Sequence, residues 1–298
     1  MLFLVMKKRD KEKLIELGLA ACALLTILTT AGILYVLLFE AFQFFSEVSI
    51  VDFLTDTQWT PLFADKHFGI LPLLTGTLLT SFIAIMVALP IGLTIALYLN
   101  EYTSPRFKNT IKPLLEILAS VPTVVYGFFA LTIVTPFLQT IFPSMSGFNS
   151  LSAGFVMGIM IIPYVSSLSD DAISAVPRYI REGSLALGAT RFQTAFKVII
   201  PSASSGIIVS AILAISRAIG ETMIVAIAAG QQPKLTLDPF VPIETITTYI
   251  VQVSLGDVAH NSLEYRTIFA AGIALFVFTF LLNNASYYLN KKLEKKYV

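Results

Sequence analysis

The chain has 298 residues, of which 56% are hydrophobic and 13% are charged, and its mean hydropathy is +0.80. Soluble domains carry about 25% charged residues, so this composition excludes a disordered chain and a basic nucleic-acid-binding domain and argues against a soluble enzyme. A single cysteine, Cys22, excludes an internal disulfide and a multi-cysteine metal site, and two histidines leave little for zinc or iron. We therefore expect a polytopic helical membrane protein without a metal or cofactor.

Charge-poor stretches predict six membrane spans, since about 20 apolar residues cross a bilayer. The first follows a basic N-terminal tail and is too long for the apolar part of a cleaved signal peptide, so it predicts an uncleaved span. The longest is too long for one span and predicts two, joined by a turn at residues 143–149. In chain order the stretches are residues 17–39, 68–100, 117–169 (two spans), 198–230 and 267–290.

The distribution of lysine and arginine predicts the orientation of the spans. Sixteen basic residues fall in the two terminal tails and in the loops after spans two and four, whereas three fall in the opposite loops. Basic residues concentrate on the cytoplasmic side of a membrane protein, so both termini and the loop around residues 170–200 are predicted to be cytoplasmic. The sixteen are Lys7, Lys8, Arg9, Lys11, Lys13, Arg106, Lys108, Lys112, Arg178, Arg181, Arg191, Lys197, Lys291, Lys292, Lys295 and Lys296; the three are Lys66, Lys234 and Arg266.

Two features of the outer loops lie outside the spans. Residues 241–254 are apolar but too few to cross a bilayer, so they predict an amphipathic helix at the membrane surface rather than a seventh span. The only tryptophan, Trp59, would either anchor the other outer loop at the membrane interface or contact a docking protein.

A charged pair interrupts the fifth predicted span. Arg217 near its middle costs about 2.5–3.5 kcal/mol on insertion scales, and Glu221 lies four residues later, so both would share one face of a continuous helix. Ser210 and Ala214 extend this face, which we expect to line the bundle interior. The pair is either an internal ion pair that fixes helix packing or an anion site on a transport path, because arginine offers a planar fork to phosphate oxygens. In the second case Glu221 would accept a hydrogen bond from protonated phosphate.

Three hydroxyl residues form a second candidate on the transport path. Ser120, Thr123 and Tyr126 are spaced three residues apart and would line a pathway on one helix, or else bond backbone carbonyls between helices.

Charged residues near the predicted cytoplasmic ends have structural explanations. Glu116 is expected to pair with Lys112 on a helix surface. Asp170 and Asp171 are expected to cap the helix that leads to Pro177.

The cytoplasmic segment 177–201 predicts two short helices joined by a glycine turn. Pro177 suits a first helical turn and Gly188 a helix C-terminus, and the run Thr190–Gln193 has capping-box spacing. A simple amphipathic surface helix is the alternative. A loop that only connects two spans does not need this degree of order.

This segment resembles the EAA loop of ABC importer permeases, whose pattern is E-A-A, three residues, G, nine residues, I-x-L-P. Here Glu182-Gly183-Ser184 is followed after three residues by Gly188, and after nine more by Val198-Ile199-Ile200-Pro201. Every spacing matches, while both alanines and the isoleucine and leucine are replaced by small or apolar residues. The resemblance implies that this loop is the coupling helix, which sits in a cleft of the ATPase subunit.

Two further segments are similar to permeases of phosphate-specific (Pst) importers, and within them to the PstC type rather than PstA. They are SRAIGETM at 216–223 and SVPTVVYGFFAL at 120–131, and Asp170-Asp171-Ala172 before the EAA-like loop agrees. The resemblance implies an all-α permease of the type I (MetI-like) fold with six transmembrane helices and cytoplasmic termini. It also implies a PstA-type partner permease, a PstB-type ATPase dimer and an external PstS-type phosphate-binding protein.

The expected organisation has three parts. Residues 1–67 hold the N-terminal tail, the first span and the first outer loop. Residues 68–290 form the core permease domain with the coupling loop 177–201, and residues 291–298 form a basic cytoplasmic tail.

The sequence contains no glycine followed by lysine, so it has no Walker-type phosphate-binding loop and predicts that a partner subunit hydrolyses ATP. Two alternatives stay open. One is a permease of the same class for sulfate or molybdate; the other is a secondary carrier driven by an ion gradient, which gives no reason for an ordered 177–201 loop.

Overall fold

The computed structural model describes the backbone of residues 8–260 and 262–297, and their side chains except at 8–11, 14, 105, 286 and 289–297. Most side chains of the basic tails, residues 7–13 and 291–298, are therefore not among those described. The described chain is helical, with two isolated β-bridges. The helices are α1 (Lys8–Glu47), α2 (Ile50–Thr55), α3 (Leu71–Glu101), α4 (Pro105–Ser120), α5 (Thr123–Phe129), α6 (Thr135–Ile141), α7 (Ser150–Ser174), α8 (Arg178–Ala186), α9 (Arg191–Thr194), α10 (Ile200–Ser202), α11 (Ser204–Ile219), α12 (Met223–Ala228), α13 (Ile246–Leu255) and α14 (Leu263–Tyr297), with π-helical turns at Ala130–Val134 and Ala195–Ile199.

Five helical segments are long and apolar enough to cross a membrane, and a bent pair of helices makes a sixth. This confirms six spans, but the fifth is not the continuous helix predicted for residues 198–230. It bends by 72° between α10 and α11, beside Pro201, which has no backbone N–H to donate. The segments are Ile15–Glu47, Leu71–Glu101, Thr123–Ile141, Ser150–Ser174 and Leu263–Ala285, with the bent pair Arg191–Ser202 and Ser204–Ile219.

The packing of α3 against α7 forms the centre of the fold and is the most extensive helix–helix contact described. A Cβ atom at Gly158 of α7 would lie 2.8 Å from the carbonyl oxygen of Ala84, and one at Gly154 would lie 3.0 Å from that of Thr80. Small residues permit this close approach of two backbones in a membrane. The two glycines therefore join α3 and α7 into one tightly packed unit.

The third predicted span is divided at Val121 and Pro122. Proline disfavours the helical conformation in the residue before it, and Val121 has an extended ψ of 130° where α4 ends. The amphipathic α4 packs against α7, and the membrane-crossing part begins at Thr123.

An apolar cluster closes the outer end of the fold. Trp59 is 1% exposed and packs edge-on against Tyr249 of α13, with ring centroids 4.9 Å apart. Ile246 and Val253 of α13 are buried in the same cluster. The surface position predicted for this helix is therefore wrong, because its apolar residues pack on α3 and α14. Trp59 is likewise neither a membrane anchor nor an exposed docking residue.

The first helix, α1, lies at the periphery and packs on α14. Its side chains are exposed throughout residues 15–33, and burial begins at Ala41 and Phe44. Near the outer end, Arg266 of α14 donates to Glu47 of α1 at 2.9 Å and lies 3.7 Å from Glu40. Ionic and apolar contacts thus hold α1 at its outer third.

Candidate functional site

The fifth span is interrupted between Arg217 and Glu221. Helix α11 ends at Ile219, and α12 begins at Met223. Arg217 lies in the last turn of α11, where a cation suits the negative end of the helix dipole. Glu221 is buried at the start of α12, and its Oε1 accepts a hydrogen bond from the N–H of Ile224 at 3.4 Å.

The prediction that these two residues share one face of a continuous helix is therefore wrong, because the helix ends between them. The ion pairs of the described residues do not include one between Arg217 and Glu221. Arg217 also lies at the end of α11 rather than near the middle of a span.

Ser210 and Ala214, which extend the predicted polar face of the fifth span, face the interior as expected. Ser210 and Ala214 are buried, and the Ser210 hydroxyl lies 3.2 Å from that of Ser169 in α7 and donates to the carbonyl of Val165 at 3.3 Å. These residues pack α11 on α7, whereas Arg217 is exposed.

Arg217 opens onto an inner cavity of about 320 Å³ between α4, α7 and the end of α11. Two cations, two carboxylates and three hydroxyls contribute to its lining, so it offers both donors and acceptors to a polar ligand. The lining residues are Leu99, Lys112, Leu115, Glu116, Ala119, Met160, Pro163, Tyr164, Ser166, Ser167, Asp170 and Arg217.

Asp170 organises the wall of this inner cavity. Its side chain is 2% exposed, and the Nζ atoms of Lys108 and Lys112 lie 2.6 and 2.8 Å from its two carboxylate oxygens. Asn100 donates to the same carboxylate at 3.1 Å. The hydrogen bond to Asp170 raises the pKa of Lys112. Both lysines are thus held by a carboxylate, which leaves Arg217 as the cavity cation without an ion pair among the described residues.

This cluster corrects two predictions. Asp170 and Asp171 lie within the last turns of α7, the helix that leads to Pro177, and do not cap it. Lys112 pairs with Asp170 rather than Glu116, because the fold brings α4 onto α7 and offers a more deeply buried carboxylate. In both cases the decisive partner lies far away in sequence.

The three spaced hydroxyl residues do not share one helix face, because the break at Pro122 separates Ser120 from the other two. The Ser120 hydroxyl donates to the carbonyl of Ile117 at 2.7 Å, and the buried Tyr126 hydroxyl donates to that of Leu118 at 2.8 Å. Thr123 begins α5 and is half-buried. For Tyr126 the structure matches the alternative of a backbone carbonyl partner on another helix, whereas Ser120 bonds a carbonyl of its own helix α4.

The segment 177–201 forms two short helices joined by a glycine turn, as predicted. Helix α8 is followed by Gly188 with φ +85°, a conformation that favours glycine. Thr190 and Gln193 form a complete capping box at the start of α9. The hydroxyls of Ser184 and Thr194 lie 2.9 Å apart and join the two helices.

One face of this segment, 177–201, is exposed to solvent. Glu182, Gly183 and Gly188 are exposed, and Leu187 beside them is 91% exposed. Pro201 lies at the other end, beside the bend into α11. Exposed apolar side chains on an ordered helix are typical of a protein-binding surface.

The coupling loop is also fixed to the spans. Arg181 of α8 forms an ion pair with Glu101 at the end of α3, at 3.0 Å, and donates to the carbonyl of Ile173 in α7 at 2.6 Å. The same arginine therefore contacts both members of the central helix unit.

Residues 88–295 match the family described as "Binding-protein-dependent transport system inner membrane component". The chain belongs to this family. It is a multi-pass inner-membrane permease subunit of an ABC importer. A substrate-binding protein and an ATPase are therefore its partners in transport.

Two relatives match nearly the whole permease. It is 34% identical to the "Probable ABC transporter permease protein YqgH" of Bacillus subtilis (strain 168), over 91% of this chain and 88% of that protein. It is 31% identical to the "Phosphate transport system permease protein PstC" of Mesorhizobium japonicum, over 93% of this chain and 89% of that protein.

Solved structures agree on the fold of the permease. A bacterial alginate ABC transporter in complex with its periplasmic protein gives a TM-score of 0.64 at 18% identity, over 96% of this chain and 98% of that chain. The MetNI methionine ABC transporter gives 0.55 at 19% identity, over 76% and 94%. The predicted MetI-like importer fold is confirmed.

Sequence reasoning missed the helix break at Gly220 and the roles of Asn100 and Lys108. A signal for the break was present, since a basic residue followed by glycine three positions later is typical of a helix C-terminus. The roles of Asn100 and Lys108 had no local signal, because each depends on contact with Asp170 of a distant helix.

Proposed function

We propose that this permease carries inorganic phosphate, as the PstC-type subunit of an ATP-driven importer. The observation that carries the proposal is the set of relatives named phosphate transport system permease protein PstC, at 31–32% identity over 77–93% of this chain. Arg217 at the inner cavity supplies chemistry that suits this substrate.

A phosphate oxyanion needs donors and positive charge. Arg217 offers up to five N–H donors in a planar fork, and Tyr164, Ser166 and Ser167 add hydroxyls to the same inner cavity. Glu116 shares this cavity and would accept a hydrogen bond from a protonated phosphate. In this proposal Glu116 takes the role that the sequence predicted for Glu221.

The proposal assigns three kinds of partner. A PstA-type permease completes the pathway, a PstB-type ATPase dimer binds Glu182, Gly183, Ser184, Gly188 and the exposed face of α8, and a PstS-type protein delivers phosphate from outside. ATP binding would close the ATPase dimer and move α8, and Arg181 would transmit that movement to α3 and α7. The pathway would then open outward.

Uptake of labelled phosphate in cells that depend on this chain tests the proposal. Changing Arg217 to glutamine removes the charged fork, whose hydrogen bonds are worth about 1.5–3 kcal/mol each, so uptake should fall about 10–100-fold while the assembly still forms. Arg106→Gln is the matched control, because Arg106 is exposed at the start of α4 and does not line the cavity.

Sulfate and molybdate uptake are measured in the same cells. Loss of phosphate uptake alone supports the assignment. Loss of another anion with normal phosphate uptake would keep the importer class and overturn the substrate. Unchanged uptake in the Arg217→Gln variant would remove Arg217 from the pathway.

A further inference from the structure

A second cavity, the outer pocket, lies between the two outer loops at the other end of the fold. Its volume is about 310 Å³. Its lining includes aromatic and apolar side chains, and three glutamines add amide groups. The lining residues are Trp59, Thr60, Pro61, Leu62, Phe63, Gln231, Gln232, Pro233, Glu244, Tyr249 and Gln252.

One polar group in this lining is buried without a partner in the described part of the chain. Glu244 is 1% exposed, and its Oε1 atom has no hydrogen-bond partner. A buried polar group without a partner is unfavourable by about 1–3 kcal/mol, and more for a charged one. A ligand that donates a hydrogen bond to this carboxyl group would remove that cost.

The backbone is arranged to keep Glu244 in this position. Its carbonyl oxygen would lie 2.2 Å from a Cβ atom at Gly76, so only glycine in α3 permits this approach. The neighbouring N–H of Ile246 donates to the Thr77 hydroxyl at 3.1 Å. The backbone at Glu244 is therefore held against α3.

The charges of the outer loops leave Glu244 without a cation of its own. Lys66 is paired with Glu264, and Arg266 is paired with Glu40 and Glu47. Lys234 is exposed at the rim next to Pro233. A carboxyl without a hydrogen-bond partner in the lining of this pocket suits a basic side chain, which can donate to it and form an ion pair.

We propose that the outer pocket receives one arginine or lysine side chain of the external substrate-binding protein. The family to which the chain belongs depends on such a protein, and the pocket lies on the side from which it docks. The volume suits one long side chain. The proposal rests on family membership and holds whichever anion the permease carries.

The protonation state of the Glu244 carboxyl makes docking depend on pH. Burial raises the pKa of Glu244 to about 8, so the empty pocket holds a proton that an incoming cation displaces. The only other titratable group in the described lining is Tyr249, whose pKa burial raises further above its ordinary value. Affinity for a cation should therefore increase about tenfold per pH unit below the pKa of Glu244 and level off above it.

The only tryptophan of the chain lines the pocket, so its fluorescence reports occupancy directly. The purified full chain in lipid nanodiscs is titrated with butylguanidinium, and with uncharged butylurea and inorganic phosphate as comparisons. We expect a saturable change with butylguanidinium alone, weakened about tenfold or more in Glu244→Gln, which keeps the shape of the protonated carboxyl. Asp65→Asn removes a charge from the same loop outside the pocket, where the Asp65 side chain is 95% exposed, and should change nothing.

Equal binding of butylurea, or binding of phosphate in place of the guanidinium, overturns the proposal, as does binding of no probe. Tighter binding of butylguanidinium in Lys234→Gln would also overturn it, since it would mean that the chain's own lysine occupies the pocket.

Docking is then measured without transport, as association of the external binding protein with the complete importer in nanodiscs between pH 6 and 8. The wild type should bind more tightly as the pH rises, and Glu244→Gln should bind more weakly with this increase removed. If the external binding protein binds the wild type and Glu244→Gln with equal affinity at every pH, its side chain does not enter the outer pocket, and the proposal is overturned. Because no phosphate uptake is measured, failure here is separate from failure of the phosphate assignment.

Discussion

At the scale of single residues, Asp170 is the side chain on which the inner end of the fold most depends. It is buried and receives hydrogen bonds from Asn100 and Lys108, with Lys112 at 2.8 Å. Asp171, its neighbour in sequence, is 67% exposed. Two adjacent carboxylates of the same type thus offer a matched comparison of a buried and an exposed ion pair.

Changing Asp170 to asparagine should destabilise the protein by about 2–3 kcal/mol, because two partly buried lysines lose their counter-charge. Asp171→Asn should cost less than about 1 kcal/mol, as exposed pairs do. Thermal unfolding of the purified variants measures both. Equal stability of the two variants would contradict the role given to Asp170.

The sequence drew attention to Arg217 and Glu221 but did not predict how they are arranged. Their predicted pairing assumed a continuous helix, whereas α11 ends at Ile219. Asn100, Lys108 and Glu244 gave no local signal, because what distinguishes them is burial against helices that are distant in sequence.

At the scale of elements, helix α8 has one glycine within it, Gly183, and one just beyond its C-terminal end, Gly188, with opposite requirements. A Cβ atom at Gly183 would meet nothing within 4 Å, whereas Gly188 ends the helix with φ +85°. Alanine at position 183, the family's residue, is therefore compatible with the helix, and alanine at position 188 is strained.

We expect Gly183→Ala to stabilise α8 by about 1 kcal/mol and Gly188→Ala to weaken its C-terminal end by about 1–2 kcal/mol. Amide hydrogen exchange of α8 should slow in the first variant and accelerate in the second. Faster exchange in Gly183→Ala would mean that position 183 is constrained by something other than helix propensity.

Elements with a strong local signal were predicted well. The coupling loop was anticipated down to its glycine turn and capping box, since those signals lie within a few residues of each other. The bend at Pro201 and the buried position of α13 were missed, because an apolar stretch looks the same whether lipid or protein covers it.

At the scale of the whole molecule, the proposed coupling mechanism requires that movement of segment 177–201 reaches the spans through few contacts. Arg181 joins α8 to both α3 and α7, and these two helices are locked together by Gly154 and Gly158. The pair Arg181–Glu101 is therefore the place to separate ATP hydrolysis from transport.

Arg181→Gln should lower the number of substrate molecules imported per ATP hydrolysed in the reconstituted importer, with assembly retained. Glu101→Gln should act in the same direction, and the double variant should be no worse than either alone, because both remove one shared interaction. Independent, additive losses would show that the two residues act separately.

The peripheral position of α1 has a consequence for how the sequence of this permease can vary. Residues 15–33 contact no other described part of the chain closely enough to be buried, so any apolar side chain of adequate length serves there. The outer third is different, because Glu40 and Glu47 meet Arg266 and Phe44 fills an apolar cluster. Evolutionary drift should therefore be fast along most of the first helix and slow in its last two turns, with changes at position 266 accompanied by changes at 40 or 47.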